Sequence, residues 1–378
     1  MKSPASLLVL LLLSPALWAA EADLYVLADS DFKASRETTH EISNMPPIKD
    51  QNGAGLCYSF SAATVAEQYI CKLNNCGRYS EDDLVSPISL AGFSSNSAAI
   101  EDGGNPGLIL AELAKGPALR KEKCAPFPPL AKLLRQSGGW DALQAKFSNY
   151  KVNQGCTTCL ESEIRKYFPA HIEQLSTALQ QSSFEAFLWE IFVPASCKSS
   201  QVIRMPPVID KSHPVTGNSP KDRQRAMARI EQLLLSDIPV LTTVCIERKG
   251  QVCAEGHATV VSGIREVCNA NGDCRLQLKV HNSYGLGWQM QNQNGWVQAD
   301  QYLEAIESLH WLERPGQTYS EKKLARSSHP DFEVAPERTV RKSILSKPGE
   351  NIRDFTLNCY RLGGTPAFTD SGRRCDFR

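Results

Sequence analysis

The sequence has no excess of either charge, no internal repeat or low-complexity tract, and no long apolar run beyond its first residues. Lys+Arg and Asp+Glu both number 41, so the charge balance gives no reason to expect nucleic acid or an anionic membrane as a partner. After the N terminus, no stretch approaches the ~20 apolar residues that span a bilayer. The 378 residues are enough for one large or two medium domains with a substantial core.

The N-terminal residues have the layout of a secretory signal peptide. Lys2 precedes the apolar run Leu7–Leu13, and small residues follow at Ala19–Ala22. The run is too short to span a bilayer. Cleavage after Ala22 satisfies the preference of signal-peptide cleavage sites for small residues. A retained N-terminal anchor is the alternative. We expect residues 1–22 to be removed and the mature chain to be secreted or periplasmic, without membrane contact.

Thirteen cysteines in an exported chain indicate disulfides. Three pairs lie across short or turn-like segments: Cys245 with Cys253, Cys268 with Cys274 around an Asn-Gly turn, and Cys359 with Cys375. If twelve cysteines pair, one thiol remains, although connectivity cannot be read from a sequence.

The tetrapeptide CTTC at Cys156–Cys159 has the spacing of a metal knuckle or a redox pair. No second CxxC completes a zinc site, so a structural disulfide is favoured. We expect no metal and no organic cofactor.

Hydrophobic periodicity divides the chain into a helical part and a β-rich part. Helical patterns cover 58–73, 107–115, 127–146 with a break at 137–139, and 170–192. Ser219 and Pro220 form an N-cap and first-turn pair for a further helix. The segments PVLTTVCI, HATVVSGIREV, CRLQLKVHNSY and GWVQADQYL, all after Ile238, are typical of strands. This order predicts an α+β protein.

One cysteine, Cys57 in QNGAGLCYSF, lies between a glycine-rich approach and the first helical pattern. It has three possible roles: a nucleophile, half of a disulfide, or a small buried residue. A thiol attacks as the thiolate, and the N-terminal end of a helix favours that form. A nucleophilic Cys57 needs a histidine base, and His257 in EGHATVVSGI is the best placed, where a turn enters a strand.

Two further residues fit the same chemistry. Asn282, on the following strand of a predicted hairpin, can orient the His257 ring. Gln51, six residues before Cys57, can donate its amide toward an oxyanion beside the Cys57 backbone N–H. His281, adjacent to Asn282, would point to the opposite face of a strand and is not the expected base.

These residues resemble the papain-like cysteine peptidases. QNGAGLCYSF is similar to the family's glutamine loop and nucleophile turn, GHATVVSG to its histidine strand, and NSYGLGW to its asparagine strand. The resemblance implies catalytic Cys57, His257, Asn282 and Gln51, and hydrolysis of peptide bonds through an acyl-enzyme. It also implies substrate binding by Gly103, Gly104 and Trp288.

The resemblance further implies a two-part architecture. A helical N-terminal subdomain would pack on a β-rich, barrel-like C-terminal subdomain, with the active-site cleft between them. The chain also departs from the family pattern. Ala54 replaces a cysteine usually found three residues before the nucleophile, and Tyr284 replaces the usual tryptophan after Asn-Ser.

Two hundred residues separate Cys57 from His257, against about 130 to 150 in the family, so an insertion is implied. We expect six segments: signal peptide 1–22, lead-in 23–46, helical subdomain with the nucleophile 47–121, insertion 122–219, β-rich subdomain 220–315 and C-terminal extension 316–378. A long inhibitory pro-region does not fit before Cys57, so self-inhibition by the insertion or the extension is the expected form of control.

The expected function is hydrolysis of peptide or protein substrates. Two alternatives stay open. The chain can be a catalytically silent binding module of the same fold, or an amidase or transpeptidase that uses the same thiol chemistry.

Overall fold

A computed structural model describes residues 32–92, 103–135, 139–153, 156–193, 197, 202–215, 219–249, 252–322, 324, 342–345, 365–369 and 372–377. The predicted signal peptide and most of the C-terminal extension lie outside these residues. In the described part, no helix has both the length and the apolar character needed to cross a membrane.

Helices dominate the described chain up to residue 192. The α-helices are α1 Cys57–Asn74, α2 Pro87–Ala91, α3 Pro106–Ala114, α4 Pro128–Arg135, α5 Gly139–Asn153, α6 Thr157–Tyr167, α7 Leu175–Ala178, α8 Phe184–Phe192, α9 Pro220–Leu234, α10 Gly285–Gln291 and α11 Ala299–Ala305. Short 3-10 helices lie at Pro169–Gln174 and Gln293–Gly295.

Strands dominate from residue 202. They are β1 Lys33–Glu41, β2 Ala118–Arg120, β3 Val202–Arg204, β4 Ile209–Pro214, β5 Val240–Lys249, β6 Val252–Cys268, β7 Cys274–His281, β8 Trp296–Gln298, β9 Ile306–Glu313, β10 Lys342–Leu345, β11 Thr365–Thr369 and β12 Gly372–Phe377. The main antiparallel sheet has the order β4-β9-β5-β6-β7-β8, with β1 also paired to β6. Helices and a large antiparallel sheet together confirm the predicted α+β class.

The main sheet contributes side chains to two hydrophobic cores. One core contains α1 and the helices that follow it as far as α8, and the other contains α9, α10 and α11. Successive residues of β5 point to opposite faces, so Leu241 packs in the first core and Val240 in the second. Strand β6 does the same, with Val260 in the first core and Val261 in the second, so both strands lie where the helical part meets the β-rich part.

Several sequence predictions are confirmed, and two segments are corrected. The helix predicted over 170–192 is divided into a 3-10 helix, α7 and α8, because the chain turns at 179–183 and the Ser183 hydroxyl caps a new helix there. Helix α1 matches the predicted 58–73 to within one residue at each end, and the Ser219 hydroxyl caps α9 by accepting the Asp222 N–H at 3.2 Å. The prediction of a strand through GWVQADQYL is wrong after Gln298, because the chain turns there into α11. Ala299, Tyr302 and Leu303, spaced i, i+3 and i+4, are all buried, and only a helix places that set on one face.

Five disulfides join described cysteines: Cys71–Cys76, Cys124–Cys197, Cys156–Cys159, Cys245–Cys253 and Cys268–Cys274. Two of the three predicted pairs are confirmed, as is a disulfide within CTTC. Cys359 lies outside the described residues, so its pairing with Cys375 stays a prediction. Cys57 is a thiol that takes part in none of these disulfides.

Candidate active site

Cys57 is the first residue of α1 and is half-buried. The helix continues without Pro or Gly through an alanine-rich segment, and every residue from Tyr58 to Cys71 is buried. Its C-terminal cap, Asn75, adopts the left-handed conformation with φ 51°, which asparagine tolerates better than most residues. The helix therefore holds its N-terminal end, and the Cys57 thiol, in a fixed place at the edge of the first core.

A buried hydrogen bond ties α1 to the strand that carries His257. Ser61 lies four residues after Cys57, on the same face of the helix, and its hydroxyl donates to the Ala258 carbonyl at 2.8 Å. Ala258 directly follows His257 in β6. The first turn of α1 and the histidine strand are thus brought together by a direct contact between residues about 200 positions apart in the chain.

His257 is hydrogen-bonded to Asn282. Its Nε2 lies 2.9 Å from Asn282 Oδ1. An amide oxygen only accepts, so Nε2 carries the proton and Nδ1 keeps the lone pair that a base needs. Both side chains are buried, at 4% and 1% exposure. The two side chains are therefore hydrogen-bonded to each other, and Nδ1 is the ring nitrogen that remains able to accept a proton.

Burial controls the protonation of His257. Removal of the ring from water lowers its pKa to about 4, and the hydrogen bond to Asn282 opposes that shift only in part. The ring of Tyr284 stacks on the imidazole with a centroid distance of 4.4 Å and an interplanar angle of 25°. The imidazole is consequently neutral at pH 7, and the Tyr284 ring covers one of its faces.

The Gln51 loop is bound to the residues that follow Asn282. The Gln51 backbone N–H donates to the Ser283 carbonyl at 2.7 Å, and the Gly285 N–H donates to the Lys49 carbonyl at 3.2 Å. The Ser283 hydroxyl donates to Gln51 Oε1 at 2.5 Å, while Gln51 Nε2 donates to the Ala54 carbonyl at 2.5 Å. These bonds fix the orientation of the buried Gln51 amide, with its nitrogen toward the chain that leads to Cys57.

A buried charged cluster lies behind this loop, and the sequence patterns did not reveal it. The Lys49 ammonium contacts Glu122 and lies 3.1 Å from Glu67 Oε1, which also accepts the Val85 N–H at 2.6 Å. Glu67 is fully buried in α1, and its desolvation raises its pKa to about 7 despite the Lys49 charge. Burial by itself would lower the pKa of Lys49, but the two carboxylates together outweigh that effect and raise it, so the ammonium keeps its charge.

The remaining predicted residues have different positions. Gly103 has φ +89°, and a side chain added there would meet nothing within 4 Å, so open space lies beside it. Trp288 is 6% exposed and packs in the second core. The substrate contacts expected of Gly103, Gly104 and Trp288 stay predictions. His281, not expected to be the base, is buried, and this burial lowers its pKa to about 4, partly opposed by a hydrogen bond to the Pro47 backbone.

Comparisons with known proteins find similarity in structure only. No protein-family model matches the chain, and no curated protein matches its sequence. The bromelain protease of Ananas comosus aligns with 72% of this chain and 98% of its own, at 13% identity and a TM-score of 0.37. A cysteine protease of Carica candamarcensis aligns with 73% of this chain and 98% of its own, at 13% identity and a TM-score of 0.37. Digestive procathepsin L 3 of Tenebrio molitor aligns with 76% and 74%, at 14% identity and a TM-score of 0.36. Similarity this distant carries no information about the chemistry of the chain.

Proposed function

We propose that the protein is a cysteine-type peptidase that hydrolyses peptide bonds through an acyl-enzyme on Cys57. One observation carries the proposal: a helix that begins at the thiol is hydrogen-bonded, through Ser61, to the strand of a histidine already paired with Asn282. The Gln51 amide is bonded to Ser283, the residue after Asn282. These contacts support the proposal that Cys57, His257, Asn282 and Gln51 act together in nucleophilic catalysis.

In the proposed reaction, His257 Nδ1 accepts the thiol proton as Cys57 Sγ attacks the carbonyl carbon of the peptide bond. The oxyanion receives hydrogen bonds from the Gln51 amide and from the Cys57 backbone N–H at the start of α1. When the C–N bond breaks, His257 returns its proton to the leaving amine and a thioester remains. Water then gives a proton to His257 and attacks the thioester, which releases a carboxylic acid and restores the thiol.

We propose that the C-terminal extension regulates this site. The start of the extension is anchored on α9, where the Leu324 N–H donates to Glu231 Oε1 at 3.0 Å and Leu324 is buried. Farther along, the backbone of β11 lies near that of β5, the strand that pairs with β6 at His257. A chain truncated after residue 325 keeps the Leu324 anchor but lacks residues 326–378. We expect this truncation to raise peptidase activity. Unchanged activity would count against regulation by the extension.

The same proposal places the protein outside the cytoplasm. Five disulfides join described cysteines, and disulfides persist mainly in oxidising compartments. Export through residues 1–22 is the simplest route, and N-terminal sequencing of the mature protein tests it. A mature chain that begins at Met1 would contradict it.

Labelling with a thiol-directed epoxide, combined with hydrolysis of a peptide mixture, tests the function. We expect Cys57→Ala and Cys57→Ser each to lose labelling and to lower hydrolysis by about a thousandfold or more. The matched control is Cys156→Ser/Cys159→Ser, which removes another pair of sulfurs and should keep both activities. Labelling that survives in Cys57→Ala would overturn the assignment. An added amine separates hydrolysis from acyl transfer, because a transpeptidase forms the new amide instead of the acid.

A further inference from the structure

The disulfide within CTTC differs from the other four in its exposure. Cys156 and Cys159 are both exposed, whereas each of the other eight cysteines in the described disulfides is buried or half-buried. The pair also closes the shortest loop, with a separation of 3 residues. Exposed disulfides are the ones that thiols can attack and that tend to be catalytic or regulatory.

The local structure would stabilise a thiolate at Cys156. This residue is the N-cap of the 11-residue helix α6, and its Sγ accepts the Cys159 backbone N–H at 3.1 Å. Its Sγ also lies 3.1 Å from the Thr158 hydroxyl. Both groups can donate to a negative sulfur, and the N-terminal end of the helix adds a partial positive charge. A sulfur in this place leaves readily from a mixed disulfide.

A groove lies directly beside the pair. Thr157, the residue after Cys156, lines a space of about 580 Å³, which is within the usual size of ligand sites. Its other lining residues include the apolar Tyr150, Ile172 and Leu175, the acidic Glu161 and Glu173, and Arg165, which pairs with Glu161. Neither cysteine lines the groove, so a peptide segment bound there would reach the exposed sulfurs past Thr157.

We propose that Cys156–Cys159 is a redox-active disulfide that oxidises pairs of thiols in a peptide segment bound in this groove. A substrate thiolate attacks Cys156 Sγ, the Cys156–Cys159 bond breaks, and Cys159 leaves as a thiolate. The second substrate thiolate then attacks the sulfur of its own chain in the mixed disulfide and releases Cys156. The substrate loses two electrons and two protons, and the CTTC pair gains them. A small-molecule disulfide such as oxidised glutathione restores the pair by the reverse exchange.

The test uses the full chain carrying Cys57→Ser, so the result does not depend on the proposed peptidase chemistry. The probe is a synthetic peptide with two cysteines, oxidised in a glutathione buffer and followed by the fluorescence change on ring closure. We expect the protein to accelerate closure and Cys156→Ser to return the rate to the uncatalysed value. With a matched peptide that carries only one cysteine, Cys159→Ser in the same buffer should accumulate a Cys156–peptide disulfide that mass spectrometry identifies, because no second thiol is present to release Cys156.

The matched control is Cys268→Ser/Cys274→Ser, which removes the disulfide of another surface turn and should leave the rate unchanged. Circular dichroism of each variant shows whether it is folded. In the chain with all its disulfides, graded reduction followed by alkylation should open Cys156–Cys159 before the other four. If that pair opens last, or if Cys156→Ser retains the full rate, the disulfide is only a structural link and the proposal is wrong.

Discussion

The Ser61 hydroxyl donates to the Ala258 carbonyl at 2.8 Å, within the interior of the protein. Ser61 lies one helical turn beyond Cys57, and Ala258 directly follows His257. This contact connects the segment that would supply the nucleophile with the segment that would supply the base. Its loss should therefore affect the reaction more than it affects the fold.

Replacement of this hydroxyl tests that relationship. We expect Ser61→Ala to lower the free energy of unfolding by about 1 kcal/mol, the usual net value of a buried hydrogen bond, and to lower kcat several-fold with little change in KM. The control is Ser59→Ala: Ser59 is also buried in α1, but its hydroxyl donates to Leu56 within the same segment, at 3.0 Å. The Ser59→Ala variant should lose a comparable free energy of unfolding and keep the wild-type kcat. Equal losses of kcat in both variants would contradict the positioning role of Ser61.

The titration of His257 can be observed in Cys57→Ser by following its ring protons by NMR. Burial lowers the pKa of His257 to about 4, so we expect a midpoint near pH 4, well below that of an exposed histidine at about 6.5. Because the hydrogen bond to Asn282 raises this pKa, Asn282→Ala should move the midpoint to still lower pH. A midpoint near 6.5 would show that the imidazole is open to water.

The stacked ring of Tyr284 should contribute to that burial. Tyr284→Ala exposes the imidazole face, and we expect the pKa of His257 to rise because desolvation is the cause of its low value. Tyr284→Phe keeps the stacked ring and should leave the NMR midpoint unchanged. Equal midpoints in the alanine and phenylalanine variants would mean that other residues exclude water from His257.

Glu67 should make stability depend on pH near neutrality. Its pKa is about 7 in the folded protein and about 4.3 when exposed, so between these values the folded state binds a proton that the unfolded state releases. The titration of Glu67 therefore lowers the free energy of unfolding as the pH rises between these two pKa values. At each pH the free energy of unfolding of wild type is subtracted from that of Glu67→Gln. We expect this difference to be larger at pH 8 than at pH 5, by up to about 3 kcal/mol.

Urea unfolding of both proteins at each pH measures this effect. His257 and His281 titrate partly in the same window with the opposite sign, because burial lowers their pKa values. Comparison of the two proteins at the same pH cancels their contribution. A stability difference that is independent of pH would show that Glu67 is ionised in the folded state across the whole range.

Local patterns predicted the elements well where the signals lie within a single segment. Helix α1 and the cap of α9 follow from apolar spacing and from Ser219 before Pro220, which act over a few residues. The prediction failed at Ala299, where the seven-residue helix α11 follows the three-residue strand β8 too closely for periodicity to separate them. Strand β4 was missed within a proline-rich segment, because its pairing with β9 depends on a partner nearly 100 residues away.

The sequence by itself determined the chemical groups of the candidate site and their order: a glutamine, a cysteine at the start of a helix, a histidine in a strand and an asparagine just after the next strand. Each is a property of residue type and local conformation. The sequence placed the histidine where a turn enters the strand, whereas β6 begins five residues earlier. Only the tertiary structure decided that Ser61 meets Ala258, that Tyr284 covers His257, and that Glu67 is buried beside Lys49. These contacts depend on the packing of distant segments, and that packing sets both the desolvation and the hydrogen bonds on which protonation depends.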